Sequence, residues 1–309
     1  MDLRQMRYFV AVAEEAHFWR AAARLKIAQP PLSQSIQRLE AELGVTLIDR
    51  SRRTVQLTEA GEVFLKQARQ TLQQAELTQT LTIRTGLAKP EVHVGFIGPA
   101  LYSFLPQLMR QVRSEQAGTL VRLYERGTFD QMAGLLRGQL DVGFINSSVG
   151  RSDEFETLPV ERNKFVAIVP ANGPLANEPS VSLSQLADHP LILPPKAQLI
   201  YAPDIIALFQ KEGVVPQVIQ ESLQTNTTLS LVAAGLGCSL VCATAASIPP
   251  RNVKFIPLKL PPGSAAYFEI AMIWLPGHLR KQSEEFIEAA KGFIKARPKL
   301  LDPNVVFAP

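Results

Sequence analysis

The sequence predicts an α/β protein of several parts, a small helical unit with a basic hairpin and a long helix, followed by a larger region of strands alternating with helices. Three observations predict it. Apolar residues recur at helical spacing through much of residues 1–86, whereas from residue 91 strand-like runs alternate with helical ones. The positive charge lies at one end: residues 1–89 hold 13 Lys and Arg against 9 Asp and Glu, and residues 90–309 hold 19 of each. The 309 residues, 46% hydrophobic and 19% charged, suit a soluble globular chain of two or three domains. The first twenty residues contain Asp2, Arg4, Arg7, Glu14 and Glu15 around only a short apolar run, so neither a signal peptide nor a membrane span is expected and the location reads as cytoplasmic.

The elements follow in order. Leu3, Met6, Val10 and Ala13 predict a first helix, and Phe18, Ala21, Ala22 and Leu25 a second whose alanines permit close approach. Residues 26–28 are a connector of the length that helix-turn-helix units use. The stretch "AQPPLSQSIQRLEAELG" at 28–44 predicts a third helix, because Pro is tolerated in a first turn and Leu32, Ile36, Leu39 and Leu43 form one apolar stripe. Gln29 is expected near the N-cap. Opposite the stripe lie Pro30, Ser33, Gln34, Gln37, Arg38 and Ala41, a face without a carboxylate that suits a polyanion but would also serve a plain amphipathic helix. "VTLIDRSRRTVQL" then predicts a hairpin with Arg50, Arg52 and Arg53 at its tip.

Thr58 is expected to cap a long helix reaching about Arg84, with Glu59 at its positive end. Leu65, Ala68, Leu72 and Ala75 give this helix a thin seam suited to a second copy or to its own core. Gly86 and Pro90 mark a hinge. Strands are expected in "EVHVGFI", "TLVRLYE", "LDVGFI", "KFVAIVP", "LILP", "PQVIQE", "CSLVCA", "VKFIPLK" and "YFEIAMIWL". Helical runs separate several of them, including Leu105, Leu108, Met109 and Val112, and later Leu229, Leu231, Val232 and Leu236. Ligands are expected at the carboxyl ends of such strands.

Enzyme chemistry has little to stand on. His17, His93, His189 and His278 lack metal-ligand spacing, and neither G-x-S-x-G nor a P-loop occurs. No catalytic residue, metal or cofactor is therefore assigned. Cys238 and Cys242 in "CSLVC" read as small core residues, although a thiol-based regulator would place both on one strand face.

Residues Arg7 to Gly61, "RYFVAVAEEAHFWRAAARLKIAQPPLSQSIQRLEAELGVTLIDRSRRTVQLTEAG", resemble the LysR-type transcriptional regulators, and the resemblance extends along essentially the whole chain. It implies a winged helix-turn-helix over 1–58, a linker and dimerisation helix with hinge over 59–89, and a periplasmic-binding-protein-like effector domain. Subdomain I of that domain would comprise 90–165 and 266–309, and subdomain II 166–265. The third helix would enter the major groove of a pseudo-palindromic operator. Gln29, Pro30, Ser33, Gln34, Gln37 and Arg38 would face base edges or nearby backbone, and Arg50 and Arg53 phosphates or the minor groove. "HFW" at 17–19 departs from the family, which usually has a small hydroxyl residue on each side of the Phe.

"VGFIGPALYSFLPQLM", "LYERGTFDQ", "LDVGFI" and "LSLVAAGLGCSLV" look like the subgroup controlling aromatic and chlorocatechol degradation. The implied partners are duplex DNA, a small-molecule effector and further copies of the chain as a dimer, or a dimer of dimers making a homotetramer. A transport receptor, which the second part alone would suggest, does not account for residues 1–89. At "GFIGPAL", 95–101, a strand is expected to give way to a helix whose free N–H groups hold the effector's carboxylate near Gly98 and Ala100. Thr128 adds a hydroxyl and Asn146 an amide, with Leu199, Ile200 and Tyr201 apolar across the cleft. Pro99 stands where the subgroup usually has a ligand-donating Ser, which points to a small, partly apolar or aromatic carboxylate rather than a dicarboxylate gripped at both ends.

Overall fold

The computed structural model describes residues 1–49, 55–86, 90–116, 118–149, 152–195, 203–248, 250–260 and 266–302. The chain divides into two compact units, the first beginning at Met1 and the second at Lys89.

In the first unit, helix α1 spans Leu3–Glu15 and opens on a reciprocal cap, in which Asp2 Oδ1 accepts from Gln5 N at 2.7 Å and Gln5 Oε1 accepts from Asp2 N at 2.8 Å. Its buried stripe is Met6, Phe9 and Val12 with Tyr8 and Ala11. The expected stripe shares only Met6 with it, since Leu3 is exposed and Val10 and Ala13 are half-buried. Phe9 turns the helix: its ring meets Phe64 edge to face at 5.0 Å, and burying an aromatic outweighs burying Leu3.

Helix α2, Phe18–Leu25, buries Ala21 and Ala22. Helix α3, Gln29–Leu43, is capped by the backbone of Ala28 without a side-chain bond, so Gln29 is its first helical residue rather than its cap. Leu32, Ile36 and Leu39 are fully buried; Leu43, expected on the same stripe, is exposed where the helix ends. Glu40 Oε1 accepts from the N–H groups of Leu47 and Ile48 at 2.9 and 3.1 Å, tying α3 to the hairpin strands β1, Ile48–Asp49, and β2, Gln56–Leu57.

Helix α4 runs Glu59–Gly86, and Thr58 Oγ1 accepts from Gly61 N at 3.0 Å as its cap. A Cβ on Gly61 would lie 2.1 Å from the carbonyl oxygen of Leu47, so only glycine lets helix and hairpin meet. Ala60, Phe64 and Leu65 pack on the core of α1–α3, which commits the early part of the expected seam to the chain's own fold. Farther along, Leu72 and Ala75 are half-buried.

The second unit contains β3 Glu91–Phe96, α5 Leu105–Glu115, β4 Leu120–Glu125, α6 Thr128–Leu136, β5 Val142–Asn146 and β6 Glu156–Pro170. It continues with α7 Leu183–Ala187, β7 Leu191–Leu193, α8 Pro203–Lys211, β8 Val218–Glu221, α9 Thr225–Ala233, β9 Ser239–Cys242, β10 Val253–Pro257, β11 Tyr267–Trp274 and α10 Lys281–Lys295. The main sheet runs β10-β6-β11-β5-β3-β4, with β9 also on β6, and β7 pairs β8 in a smaller sheet. β3 is parallel to β4 and β5, while β11 lies antiparallel between β5 and β6.

β6 is longer than "KFVAIVP" predicts, because β11 gives residues 156–164 an antiparallel partner, from Glu156↔Trp274 to Lys164↔Tyr267. Its remaining residues pair with β9 and β10. One strand thus joins two groups, β11-β5-β3-β4 and β9 with β10. In α9, Leu229 and Val232 are buried; Leu236, expected with them, lies beyond the helix and is exposed. Cys238 and Cys242 are buried and not joined in a disulfide, and burial pushes the Cys238 thiol up to about 11. Among the described residues, no helix is long and apolar enough to cross a membrane.

Candidate functional site

The outward face of α3 is built as the sequence suggested. Gln29, Pro30, Gln34, Gln37 and Arg38 are exposed and Ser33 is half-buried, while the stripe behind them anchors the helix. Glu40 is turned to the hairpin and Glu42 pairs with the N-terminal ammonium, so neither carboxylate occupies that face. Amide, hydroxyl and guanidinium groups remain, the donors and acceptors that read base edges. His17 caps α2: its Nδ1 accepts from Trp19 N at 3.1 Å at the start of the helix. Trp19 itself is 68% exposed. Arg50 and Arg53 lie outside the described residues.

In the second unit a cavity of about 470 Å³ opens where strands of the main sheet and of the smaller sheet end. β3 leads to Ile97, Gly98 and Pro99, β4 to Glu125 and Arg126, β5 to Asn146, and β8 to Ser222. Phe165 and Phe268, edge to face at 6.0 Å, line it from the crossing of β6 and β11. Convergence of carboxyl strand ends is where α/β folds bind small molecules. Of the expected effector residues, Gly98, Pro99, Thr128 and Asn146 line this cavity. Ala100 is buried and does not line it. Leu199, Ile200 and Tyr201 lie outside the described residues.

The expected helix after β3 is a five-residue 3₁₀ turn, Gly98–Tyr102, and α5 starts only at Leu105. Pro106 has no N–H to give the carbonyl of Tyr102, so an α-helix cannot run through. The carboxylate of Glu125 also lies beside Gly98, its Oε1 3.2 Å from where a Cβ would stand. The expected α-helix N-terminus is therefore not present at Gly98 and Ala100. Thr128 Oγ1 accepts from Asn146 N at 3.1 Å, and Asn146 Oδ1 accepts from Ser148 N and Oγ at 2.9 and 2.6 Å. Both polar residues thus brace the wall.

Arg126 is the cation among the described lining residues, which also include Glu125 and Asp130, and its Nη1 donates to Gln139 Oε1 at 3.4 Å. Its guanidinium lies 5.3 Å from the Tyr124 ring centroid. Beneath this rim Gln131, fully buried, donates through Nε2 to the carbonyls of Arg126 at 2.8 Å and Phe144 at 3.1 Å. The opposite wall carries Gln224, Thr225 and Thr228, with Thr228 Oγ1 bonded to Ser222 Oγ at 3.0 Å. The sequence reading missed these residues; its one available signal was the polar run "ESLQTNTT" between a strand and a helix. No group of His, Cys, Asp and Glu among the described residues can hold a metal ion.

Two family models match the chain: a LysR substrate binding domain over residues 85–294, and a bacterial regulatory helix-turn-helix protein of the lysR family over residues 3–62. The regulator AlsR of Bacillus subtilis is 36% identical over 249 residues, 79% of this chain and 82% of its own length. BenM of Acinetobacter baylyi is 35% identical over 261 residues, covering 84% and 86%. The crystal structure of full-length BenM matches with TM-score 0.57 at 32% identity, over 99% of this chain and all of that one. CbnR complexed with its target DNA matches with TM-score 0.58 at 28% identity, over 95% and 100%. With a helix-turn-helix at one end, an effector-binding domain over most of the rest and named regulators as its relatives, the chain belongs to the LysR family of transcriptional regulators.

Proposed function

We propose that the protein reads a pseudo-palindromic operator as a homodimeric unit, assembled further as a dimer of dimers, and that a small, partly apolar or aromatic carboxylate controls it. The domain map is the one given by the sequence: winged helix-turn-helix 1–58, linker 59–89, subdomain I 90–165 with 266–309, and subdomain II 166–265. Gln29, Pro30, Ser33, Gln34, Gln37 and Arg38 contact base edges and nearby backbone, and Arg50 and Arg53 the phosphates. DNA binding puts the protein in the cytoplasm.

The single observation that carries the effector reading is the 470 Å³ cavity, apolar on the side of Phe165 and Phe268 and polar at its rims. Its volume suits a molecule of roughly benzoate to muconate size. The carboxylate faces Arg126, away from Glu125. Calorimetry of the full-length protein with benzoate and muconate, on wild type and Arg126→Gln, tests this. Binding weakened about tenfold or more in the variant is expected for a lost charge-assisted hydrogen bond. Equal affinity, or binding confined to uncharged compounds, would overturn it.

A further inference from the structure

The turn Gly98–Tyr102 lines the cavity with Gly98 and Pro99, and its last residue reaches away from β3 to the far side of the cleft. The Tyr102 hydroxyl donates to Asn226 Oδ1 in the first turn of α9. Ser247 Oγ donates to the Tyr102 carbonyl at 2.8 Å. That carbonyl is the one Pro106 leaves without a helical donor, so Ser247 satisfies a group the local sequence cannot. Asn226 adjoins Thr225 in the opposite wall, and Ser247 ends the 3₁₀ turn Ala243–Ser247 that follows β9. One residue thus joins two points across the cleft, 124 and 145 positions along the chain.

We propose that Tyr102, Asn226 and Ser247 form a latch that holds the subdomains together beside the effector cavity, making Tyr102 a positioning residue for effector binding. This rests on the subdomain and effector reading above. Burial, and then the charge of Glu125, raise the Tyr102 phenol, which keeps its proton for donation through the neutral range. On the other side of the turn, Ser103 Oγ donates to the buried carboxyl of Glu161 on β6 at 2.7 Å, which fixes the base from which the latch reaches. A ligand that binds only the closed arrangement is weakened by whatever lowers the closed population. Tyr102→Phe keeps the ring and deletes the hydroxyl; Ser247→Ala deletes the second bond.

The test uses full-length protein with spin labels at Ser114→Cys on α5 and Lys211→Cys on α8, both exposed positions. Distance distributions are recorded without ligand for the otherwise wild-type chain, Tyr102→Phe, Ser247→Ala and the double variant, and benzoate and muconate are then titrated. A broader or longer distribution in each variant is expected, with carboxylate affinity lowered about fivefold per deleted bond. Distributions unchanged in the double variant would overturn the latch. So would altered distributions with unchanged affinity. If the wild type binds neither acid, the carboxylate reading fails on its own, and the distances alone decide whether the latch exists. Should Tyr102→Phe fail to fold, Ser247→Ala carries the same measurements.

Discussion

Ser103 and Glu161 are held together at 2.7 Å, hydroxyl to carboxylate oxygen, with Glu161 only 1% exposed and its other oxygen accepting from Asn163 Nδ2 at 3.2 Å. Burial pushes this carboxyl up to about 7, against the two hydrogen bonds, which lower it. The folded state therefore holds a proton that the unfolded chain releases near pH 4.3. This contribution to stability is complete below that pH and is lost as the pH rises through about 7. Glu161→Gln cannot ionise, so its stability relative to wild type should rise by about 3 kcal/mol between pH 4 and pH 8. Urea unfolding across that range measures it, and a difference that does not vary with pH would contradict the assignment.

Gly61→Ala drives a methyl into the Leu47 carbonyl at the helix–hairpin contact, where neither backbone segment is free to withdraw. A loss of about 3 kcal/mol or more in the first unit is expected, with operator binding abolished. Circular dichroism melting and gel shift decide it; a variant with wild-type DNA affinity would show that the contact can yield.

Recognition and attraction should separate. Gln29→Ala, at the exposed start of α3, should blur base preference, costing about 1–3 kcal/mol on the preferred operator and little on random duplex. Arg53→Ala should weaken both and flatten the salt dependence by about one unit. Anisotropy titrations at several salt concentrations compare them, and equal losses on both DNAs for both variants would refute the division of roles.

Arg280 donates to the Glu91 carbonyl at 2.6 Å and lies 3.2 Å from Asp141 Oδ2, with the Asp141 side chain 5% exposed. Removing the guanidinium strips a charged partner from a buried carboxylate. Arg280→Ala should destabilise the second unit by about 3 kcal/mol, lowering its melting point by roughly 6–12 °C. Scanning calorimetry reads this directly, and a shift under 2 °C would show that the pair matters little.

Thr128→Val removes the acceptor of the Asn146 N–H as well as a hydroxyl in the cavity wall. It should cost about 1–3 kcal/mol of stability before any ligand is added. Thr128→Ser should restore both stability and effector affinity. If Val is as stable as wild type, the bond is not holding the wall.

The two-part plan, the strand order along the chain and the third helix with its exposed polar face were legible because periodicity and punctuation are local signals. Packing decided the rest. Phe9, reaching Phe64 fifty-five residues later, rotated α1 away from the stripe containing Leu3. The start of β6 at Glu156 was illegible because its partner β11 lies more than a hundred residues downstream. Pro106 was in plain view as the reason for the 3₁₀ turn, yet its effect falls four residues earlier. Arg126 and Gln224 reached the cavity through topology, as strand ends brought together from distant segments.

The position of β11 between β5 and β6 governs how the chain is made on the ribosome. Among the described residues, the first unit completes its strands by residue 57 and can fold as it emerges. The main sheet must wait for Tyr267–Trp274, until when β5 and β6 lack their common neighbour and expose unpaired backbone. Polypeptides stalled before residue 267 should therefore bind chaperones and be cut readily by proteases beyond residue 90, while the DNA-reading end already resists digestion.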